Sequence, residues 1–118
     1  MNDSDILRHV LDQWKAGIDD HDPKRVASYF TEDAIFQGLH PYGVGRDAVT
    51  EYYDAQPVGL SPSYQVLELR RLAEDLLLGY LAVDFTFTDR PTLHVNLSVI
   101  LRRTGDGWLI SHYQVSRL

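Results

Sequence analysis

The first third of the chain repeats apolar residues at helical spacing. Five of them recur at three- and four-residue steps and form a stripe along one helix face: Leu7, Val10, Leu11, Trp14 and Ile18. We expect Ser4 to cap this helix and the polar residues 19–21 to end it. A second helix is predicted to begin at Asp22-Pro23, because an N-cap residue followed by proline is typical of a first helical turn. The two helices are expected to run antiparallel.

After these helices the pattern becomes that of a sheet. Residues 34–37 are a short predicted strand, residues 38–45 a loop rich in glycine, and residues 46–55 a third, shorter helix. From residue 64 onward the apolar period is two, which predicts four strands, at residues 64–72, 76–88, 92–103 and 108–117. Helices followed by an antiparallel meander are typical of an α+β fold, and the length predicts one domain, residues 1–118.

Strands of this length do not form a flat sheet. A typical strand has about five or six residues, and all four predicted strands of the meander are longer. A long meander must twist and coil, so we expect a cone-shaped, curved antiparallel sheet wrapped around the three N-terminal helices. Three short helices cannot fill such a cone to its wide end. The sequence therefore predicts a pocket there, suited to a small molecule.

Alternation predicts which side chains enter this pocket. The apolar row from Leu93 to Leu101 is expected to face the helices. If Arg103 pairs with Trp108 across the turn at residues 104–107, the even positions of the last strand share that face. His112 and Gln114 are then predicted to lie inside an otherwise apolar cone, and His94 to lie on the outer face.

The predicted strand at residues 76–88 allows two arrangements of its side chains. A two-residue turn at Asp89-Arg90 would point Tyr80 and Asp84 inward, whereas a three-residue turn would point Val83 and Phe85 inward and leave Asp84 outside. The first arrangement places a carboxylate and an imidazole on one wall, where such a pair would suit acid/base chemistry. The second makes Asp84 an ordinary surface charge. The sequence leaves both open.

Charge and composition narrow the range of functions. With 11 basic and 17 acidic residues the net charge is −6, which argues against a nucleic-acid partner. No apolar run approaches the ~18 residues of a membrane span. The chain has no cysteine, which excludes disulfides and thiolate metal sites, and together with the acidic first residues this favours a cytoplasmic location. No nucleotide-binding glycine motif appears, and Glu32-Asp33 lacks further ligands, so we expect neither cofactor nor metal.

Four segments resemble those of a known family. Residues 18–23 (IDDHDP), 29–36 (YFTEDAIF), 45–49 (GRDAV) and 107–110 (GWLI) are similar to the nuclear transport factor 2-like superfamily, which includes SnoaL-like polyketide cyclases and ketosteroid isomerases. The resemblance implies a cystatin-like α+β barrel that is frequently dimeric through the outer face of its sheet.

The catalytic residues of ketosteroid isomerases are not matched. The family's tyrosine falls at Trp14, its base at Gly38, and its second acid near Val99, or at Ser98 if the hairpin is shifted by one. Isomerisation by that mechanism is therefore not expected.

The residues then predict a candidate site. His112 is the predicted acid/base, assisted by Asp84 and oriented by Gln114. The other predicted substrate-binding residues are Trp14, Phe36, His40, Tyr42, Tyr53, Tyr80, Leu97 and Val99. The resulting hypothesis is a homodimer that binds a hydrophobic small molecule and cyclises, dehydrates or isomerises a polyketide-like or steroid-like compound. The alternative is a non-catalytic binding or protein-interaction module. Asp84 near His112 inside the cavity would favour the enzyme, and Asp84 outside would favour the module.

Overall fold

The helices and strands follow the predicted order. The computed structural model describes residues 1–105 and 107–118. The helices are α1 (Asp3–Asp19), α2 (Pro23–Ser28) and α3 (Arg46–Asp54). The strands are β1 (Phe30–Gln37), β2 (Gly43–Val44), β3 (Ser61–Ala73), β4 (Leu76–Thr86), β5 (Leu93–Thr104) and β6 (Gly107–Arg117).

The first helix buries its predicted stripe. All five of its apolar residues are at most 5% exposed, so α1 lies inside the curved sheet with Trp14 at the centre of the core. The cap differs from the prediction, because the side chain of Asn2, rather than Ser4, accepts the backbone N–H of Asp5 at 2.8 Å. Asp22 caps α2 as predicted and accepts from the backbone N–H of Arg25.

The sheet has six strands in the order β2-β1-β6-β5-β4-β3. The four long strands form the predicted antiparallel meander, and Thr104 pairs with Gly107 where its last hairpin turns, Asp106 lying outside the described residues. The strands β1 and β6 run parallel, which makes the sheet mixed rather than wholly antiparallel. A long crossover through α3 and the meander separates them, as a parallel pair requires. The predicted α+β fold with a curved sheet around N-terminal helices is confirmed.

The faces of β4 and β5 are now settled. On β5 the predicted inner row is buried, from Val95 to Leu101. On β4 the residues Leu81, Val83 and Phe85 are buried and share that face through the β4–β5 register. Of the two arrangements that the sequence allowed, the one that leaves Tyr80 and Asp84 outside is therefore the correct one.

A bulge in β6 overturns the predicted face of His112 and Gln114. Leu101 pairs with Ile110 and Ile100 pairs with His112, so Ser111 is an extra residue without a partner on β5. An extra residue reverses the inward and outward positions that follow it. Tyr113 therefore points inward and is 2% exposed, whereas His112 and Gln114 lie on the outer face.

Candidate ligand-binding site

The cone contains a cavity of about 470 Å³ at its wide end. Its walls come from α3, from the ends of β4 and β6, from the start of β5 and from the loops around them. Much of the lining is apolar: Leu39, Leu60, Phe85, Phe87, Leu93 and Val115. The volume lies within the range of about 300–1,000 Å³ that is typical of small-molecule sites.

Two phenols supply hydrogen-bonding groups to this lining. The hydroxyl of Tyr53 accepts from the indole Nε1–H of Trp14 at 3.2 Å and donates to the hydroxyl of Tyr113, also at 3.2 Å. Both hydrogen bonds are buried, and both tyrosines line the cavity. We call Tyr53 and Tyr113 the hydroxyl pair.

The hydroxyl pair holds one proton more than its own hydrogen bonds use. An indole N–H can only donate, so both phenolic protons remain for the two hydroxyls, and one of them is used between Tyr53 and Tyr113. In the opposite arrangement Tyr113 donates to Tyr53, and the proton of Tyr53 is then the free one. Either way, within the described residues, one O–H donor is left for a ligand.

Burial keeps these phenols neutral. Burial raises the pKa of Tyr53 well above its usual value, although the hydrogen bonds of its hydroxyl with Tyr113 and Trp14 act in the opposite direction. The pKa of Tyr113 is raised by burial first and then by the neighbouring Tyr53. Burial also raises the pKa of Tyr52, which lines the same cavity. At neutral pH the three phenols are hydrogen-bond donors and not bases.

The phenol of Tyr52 fills the space beside Gly38, the residue at which the resemblance to ketosteroid isomerases would place a base. A Cβ atom at Gly38 would lie 2.6 Å from the hydroxyl oxygen of Tyr52, so no side chain fits there while the phenol is in place. The ring of Tyr52 also packs edge-on against Phe36, at 4.8 Å between centroids. The end of β1 therefore has a neutral phenol from α3 packed against Gly38.

Only part of the predicted binding set reaches the cavity. His40 and Tyr53 line it. Trp14 and Phe36 lie directly behind the lining, where Phe36 stacks on Tyr113 at 4.5 Å and 16°. Gln37 holds the loop of His40 by donating from Nε2 to the carbonyl oxygens of Gly38 and His40.

The other predicted binding residues lie elsewhere. Leu97 and Val99 are fully buried in the core and do not line the cavity. Tyr42 is 66% exposed on a shallow groove outside it. Tyr80 is on the outer face of the sheet, where its hydroxyl accepts from Asn96 at 3.3 Å, and Gln114 is exposed on that same face.

The predicted catalytic pair is not assembled. His112 is on the outer face because of the bulge, and Asp84 is outside because β4 takes the other alternation. Asp84 instead lies opposite His94, with 2.6 Å between Oδ1 and Nδ1, and both side chains are at least half exposed. The interpretation that placed an imidazole and a carboxylate together inside the cavity is wrong in this respect.

The sequence contained a signal for the missed residue Tyr113. From Ile110 onward the apolar positions of β6 are Ile110, Tyr113 and Val115, and a regular strand cannot place an even position and two odd ones on one face. One extra residue between Ile110 and Tyr113 removes the conflict. Arg90 and Arg117, which also line the cavity, carried no comparable signal.

The described residues offer neither a cluster for a metal ion nor a helix that could span a membrane. Among the described residues, no three side chains of His, Cys, Asp or Glu gather as a metal ion would require. Within the same residues, no helix combines the length and apolar character needed to cross a bilayer.

The fold and its cavity define a class of small α+β cones, and comparison with known proteins gives the family. The sequence model of the SnoaL-like domain matches residues 7–118. The chain therefore belongs to the SnoaL-like domain family, which confirms the resemblance to the nuclear transport factor 2-like superfamily. No curated protein matches the sequence.

Solved structures match the fold over almost the whole chain. A domain of unknown function with a cystatin-like fold from Nostoc punctiforme has a TM-score of 0.83 and 17% identity, over 98% of this chain and 77% of that one. A putative calcium/calmodulin-dependent protein kinase II association domain from Xanthomonas campestris has a TM-score of 0.84 and 16% identity, over 100% of this chain and 89% of that one. A putative scytalone dehydratase from Novosphingobium aromaticivorans has a TM-score of 0.81 and 14% identity, over 98% of this chain and 83% of that one. At these identities the matches show the fold alone.

Proposed function

We propose that the protein binds a small, largely apolar molecule in its cavity and holds an oxygen atom of that molecule with the hydroxyl pair. The observation that carries the proposal is the uncommitted phenolic proton of Tyr53 and Tyr113 beside a mostly apolar cavity of about 470 Å³. A buried donor without an acceptor is costly, so a carbonyl or hydroxyl oxygen is the natural occupant of this position. Membership of the SnoaL-like family and the fold shared with a putative scytalone dehydratase support an aromatic or polyketide-like ligand.

The binding proposal is tested by titrating 2-acetylnaphthalene into the protein by calorimetry. Val115 lines the cavity, so Val115→Trp should fill it and abolish binding. Leu67 is 41% exposed on β3, so Leu67→Trp adds the same indole elsewhere and serves as the matched control. Binding to the wild type and the control, but not to Val115→Trp, is expected. Undiminished binding to Val115→Trp, or no binding to the wild type, would overturn the proposal.

A second candidate function is proton transfer next to a carbonyl group. The free donor of the hydroxyl pair, aimed at a carbonyl oxygen, also stabilises the negative charge that develops there when a neighbouring carbon loses a proton. His40 lines the same cavity and is the imidazole available to take that proton. The roles predicted for His112 and Asp84 need both groups inside the cavity, so they are not part of this proposal.

Deuterium exchange tests this second function. In D₂O the methyl group of 2-acetylnaphthalene should exchange faster with the protein than in buffer, and His40→Gln should remove the acceleration. Exchange at the buffer rate would leave the binding module as the function. The outer position of Asp84 favours that module, because no carboxylate partner for an imidazole is then found among the described residues that line the cavity.

A homodimer through the outer face of the sheet is part of the proposal. Leu78 and Ile100 are paired neighbours on that face and are partly exposed, which suits an interface. The fold shared with a putative association domain is consistent with self-association. Ile100→Glu should yield monomers in analytical ultracentrifugation, whereas Val58→Glu, at a loop residue that is 73% exposed, should not. A cytoplasmic location stays a prediction.

A further inference from the structure

The charges around the cavity differ in sign from the charge of the whole chain. The protein carries a net charge of −6, yet among the described residues that line the cavity none is aspartate or glutamate. Two arginines, Arg90 and Arg117, are among the lining residues. Two guanidinium groups with no carboxylate among the described lining residues give the cavity a local positive field, which attracts anions even though the protein as a whole is acidic.

Arg117 lies farther along β6 than Tyr113 of the hydroxyl pair. Arg117 pairs in register with the buried Val95, so it is on the inner face of the sheet, near the end of β6. It follows Tyr113 by four residues along the strand, which is about 13 Å of extended backbone. Arg90 comes from the connection between β4 and β5, with its guanidinium carbon 5.0 Å from the ring centroid of Phe87. Along β6 the cavity thus has a phenolic donor at Tyr113 and a cation four residues further on at Arg117, and Arg90 is a second lining cation.

Of the two arginines that line the cavity, Arg117 has the positive charge with fewer nearby carboxylates. Arg90 donates from Nε to Asp89 at 3.1 Å, which neutralises part of its charge. Within the part of the chain that the structure describes, no aspartate or glutamate lies within 4 Å of the guanidinium of Arg117. A planar guanidinium with free N–H groups matches the two oxygens of a carboxylate.

We propose that the ligand is an amphipathic organic acid, with an oxygen acceptor at the hydroxyl pair, an apolar body against the wall formed by the paired residues Phe85 and Leu93, and a carboxylate at Arg117 and Arg90. This inference rests on the proposed function, since it assigns the second end of the same ligand. The separation of the two polar ends selects elongated molecules. The mostly apolar lining between them selects against a polar middle.

The test compares 4′-hydroxybiphenyl-4-carboxylate with its carboxamide, which has the same shape and no charge. At low salt the acid should bind about fivefold more tightly, the gain expected from one partly exposed ion pair. Arg117→Gln should remove most of this preference, while Arg70→Gln, which deletes the same charge on an exposed residue of β3, should keep it. High salt should also reduce the preference in the wild type.

The outcomes separate the two proposals. Equal binding of acid and carboxamide, or a preference that survives Arg117→Gln, would overturn the inference about the carboxylate and leave the binding function intact. Failure of both probes to bind, together with failure of 2-acetylnaphthalene, would count against the proposed function itself. Carboxamide binding by Arg117→Gln at wild-type affinity shows that the variant is folded, so a lost preference is then due to the charge.

Discussion

Replacing Tyr113 by phenylalanine removes one hydroxyl from the hydroxyl pair and leaves the aromatic packing in place. The ring stays stacked on Phe36, with 4.5 Å between centroids, so the core should keep its packing. The hydrogen bond that is lost spans 3.2 Å, and Tyr53 retains its bond from Trp14. A neutral hydrogen bond contributes about 0.5–1.5 kcal/mol, so the unfolding free energy should fall by no more than about 1.5 kcal/mol.

The effect on binding is isolated by comparing two ligands. 2-Acetylnaphthalene has a carbonyl oxygen, and 2-isopropylnaphthalene has nearly the same shape without an acceptor. The Tyr113→Phe change should weaken binding of the ketone about twofold to tenfold, which is the free energy of one hydrogen bond, and leave the hydrocarbon unaffected. Calorimetric titration of both ligands into both proteins gives the difference directly.

The phenol of Tyr53 limits how much the Tyr113→Phe change can weaken binding of the ketone. Tyr53 is released from its bond to Tyr113 in the variant, and its proton becomes available to the ketone. Replacing both tyrosines by phenylalanine removes every phenolic donor of the pair, so the double variant should lose most of the ketone selectivity, with Trp14 and Tyr52 left as nearby donors. That variant leaves the Nε1–H of Trp14 without an acceptor, at a cost of about 1–3 kcal/mol in stability. Equal weakening of both ligands, or ketone selectivity retained by the double variant, would refute the assignment of the donor.

Three further predictions concern stability. Gly38→Ala places a Cβ atom 2.6 Å from the ring of Tyr52 and should lower the unfolding free energy by about 1–3 kcal/mol in a denaturant titration. Deleting Ser111 should turn Tyr113 to the outer face and destabilise the protein by about 3–5 kcal/mol, the cost of losing a large buried aromatic side chain. Stability should also fall as pH rises above about 10, because the raised pKa of Tyr53 and Tyr113 keeps them protonated in the folded chain while the unfolded chain loses those protons.

Matched variants control each of these measurements. Gly107→Ala adds the same methyl group where no atom lies within 4 Å, so its stability should stay within about 0.5 kcal/mol of the wild type. Ser111→Ala keeps the extra residue of the bulge and should cost less than about 1 kcal/mol. Tyr113→Phe should reduce the loss of stability at alkaline pH, and an unchanged pH profile in that variant would show that the phenol contributes nothing to it.

The sequence predicted those parts of the fold that depend on regular repetition. The stripe of α1 has one geometric solution, because only a helix brings Leu7, Leu11 and Trp14 to one face. The alternation of β5 likewise determined its inner row. These regularities, together with the order of elements, were sufficient to predict the curved sheet, the helices inside it and a cavity at the wide end.

The site was harder to predict because it depends on local departures from regularity. One extra residue at Ser111 exchanged the predicted His112 for Tyr113 on the inner face. The direction of Asp84 depended on the length of a turn, and two lengths were compatible with the sequence. The contribution of Arg117 depends on the bulge as well, since four residues of unbroken alternation separate it from Tyr113. A shift of one residue in the predicted register of a strand therefore leaves the fold unchanged but changes which side chains line the cavity.

The most direct test of this account is the structure of the complex with 2-acetylnaphthalene, determined by crystallography or from intermolecular nuclear Overhauser effects. We predict the carbonyl oxygen within hydrogen-bonding distance of the hydroxyl of Tyr113 or Tyr53, with the naphthalene rings against the wall formed by Phe85 and Leu93. A ligand bound on the outer face beside His112, or one in the cavity with its oxygen turned away from both phenols, would contradict the account.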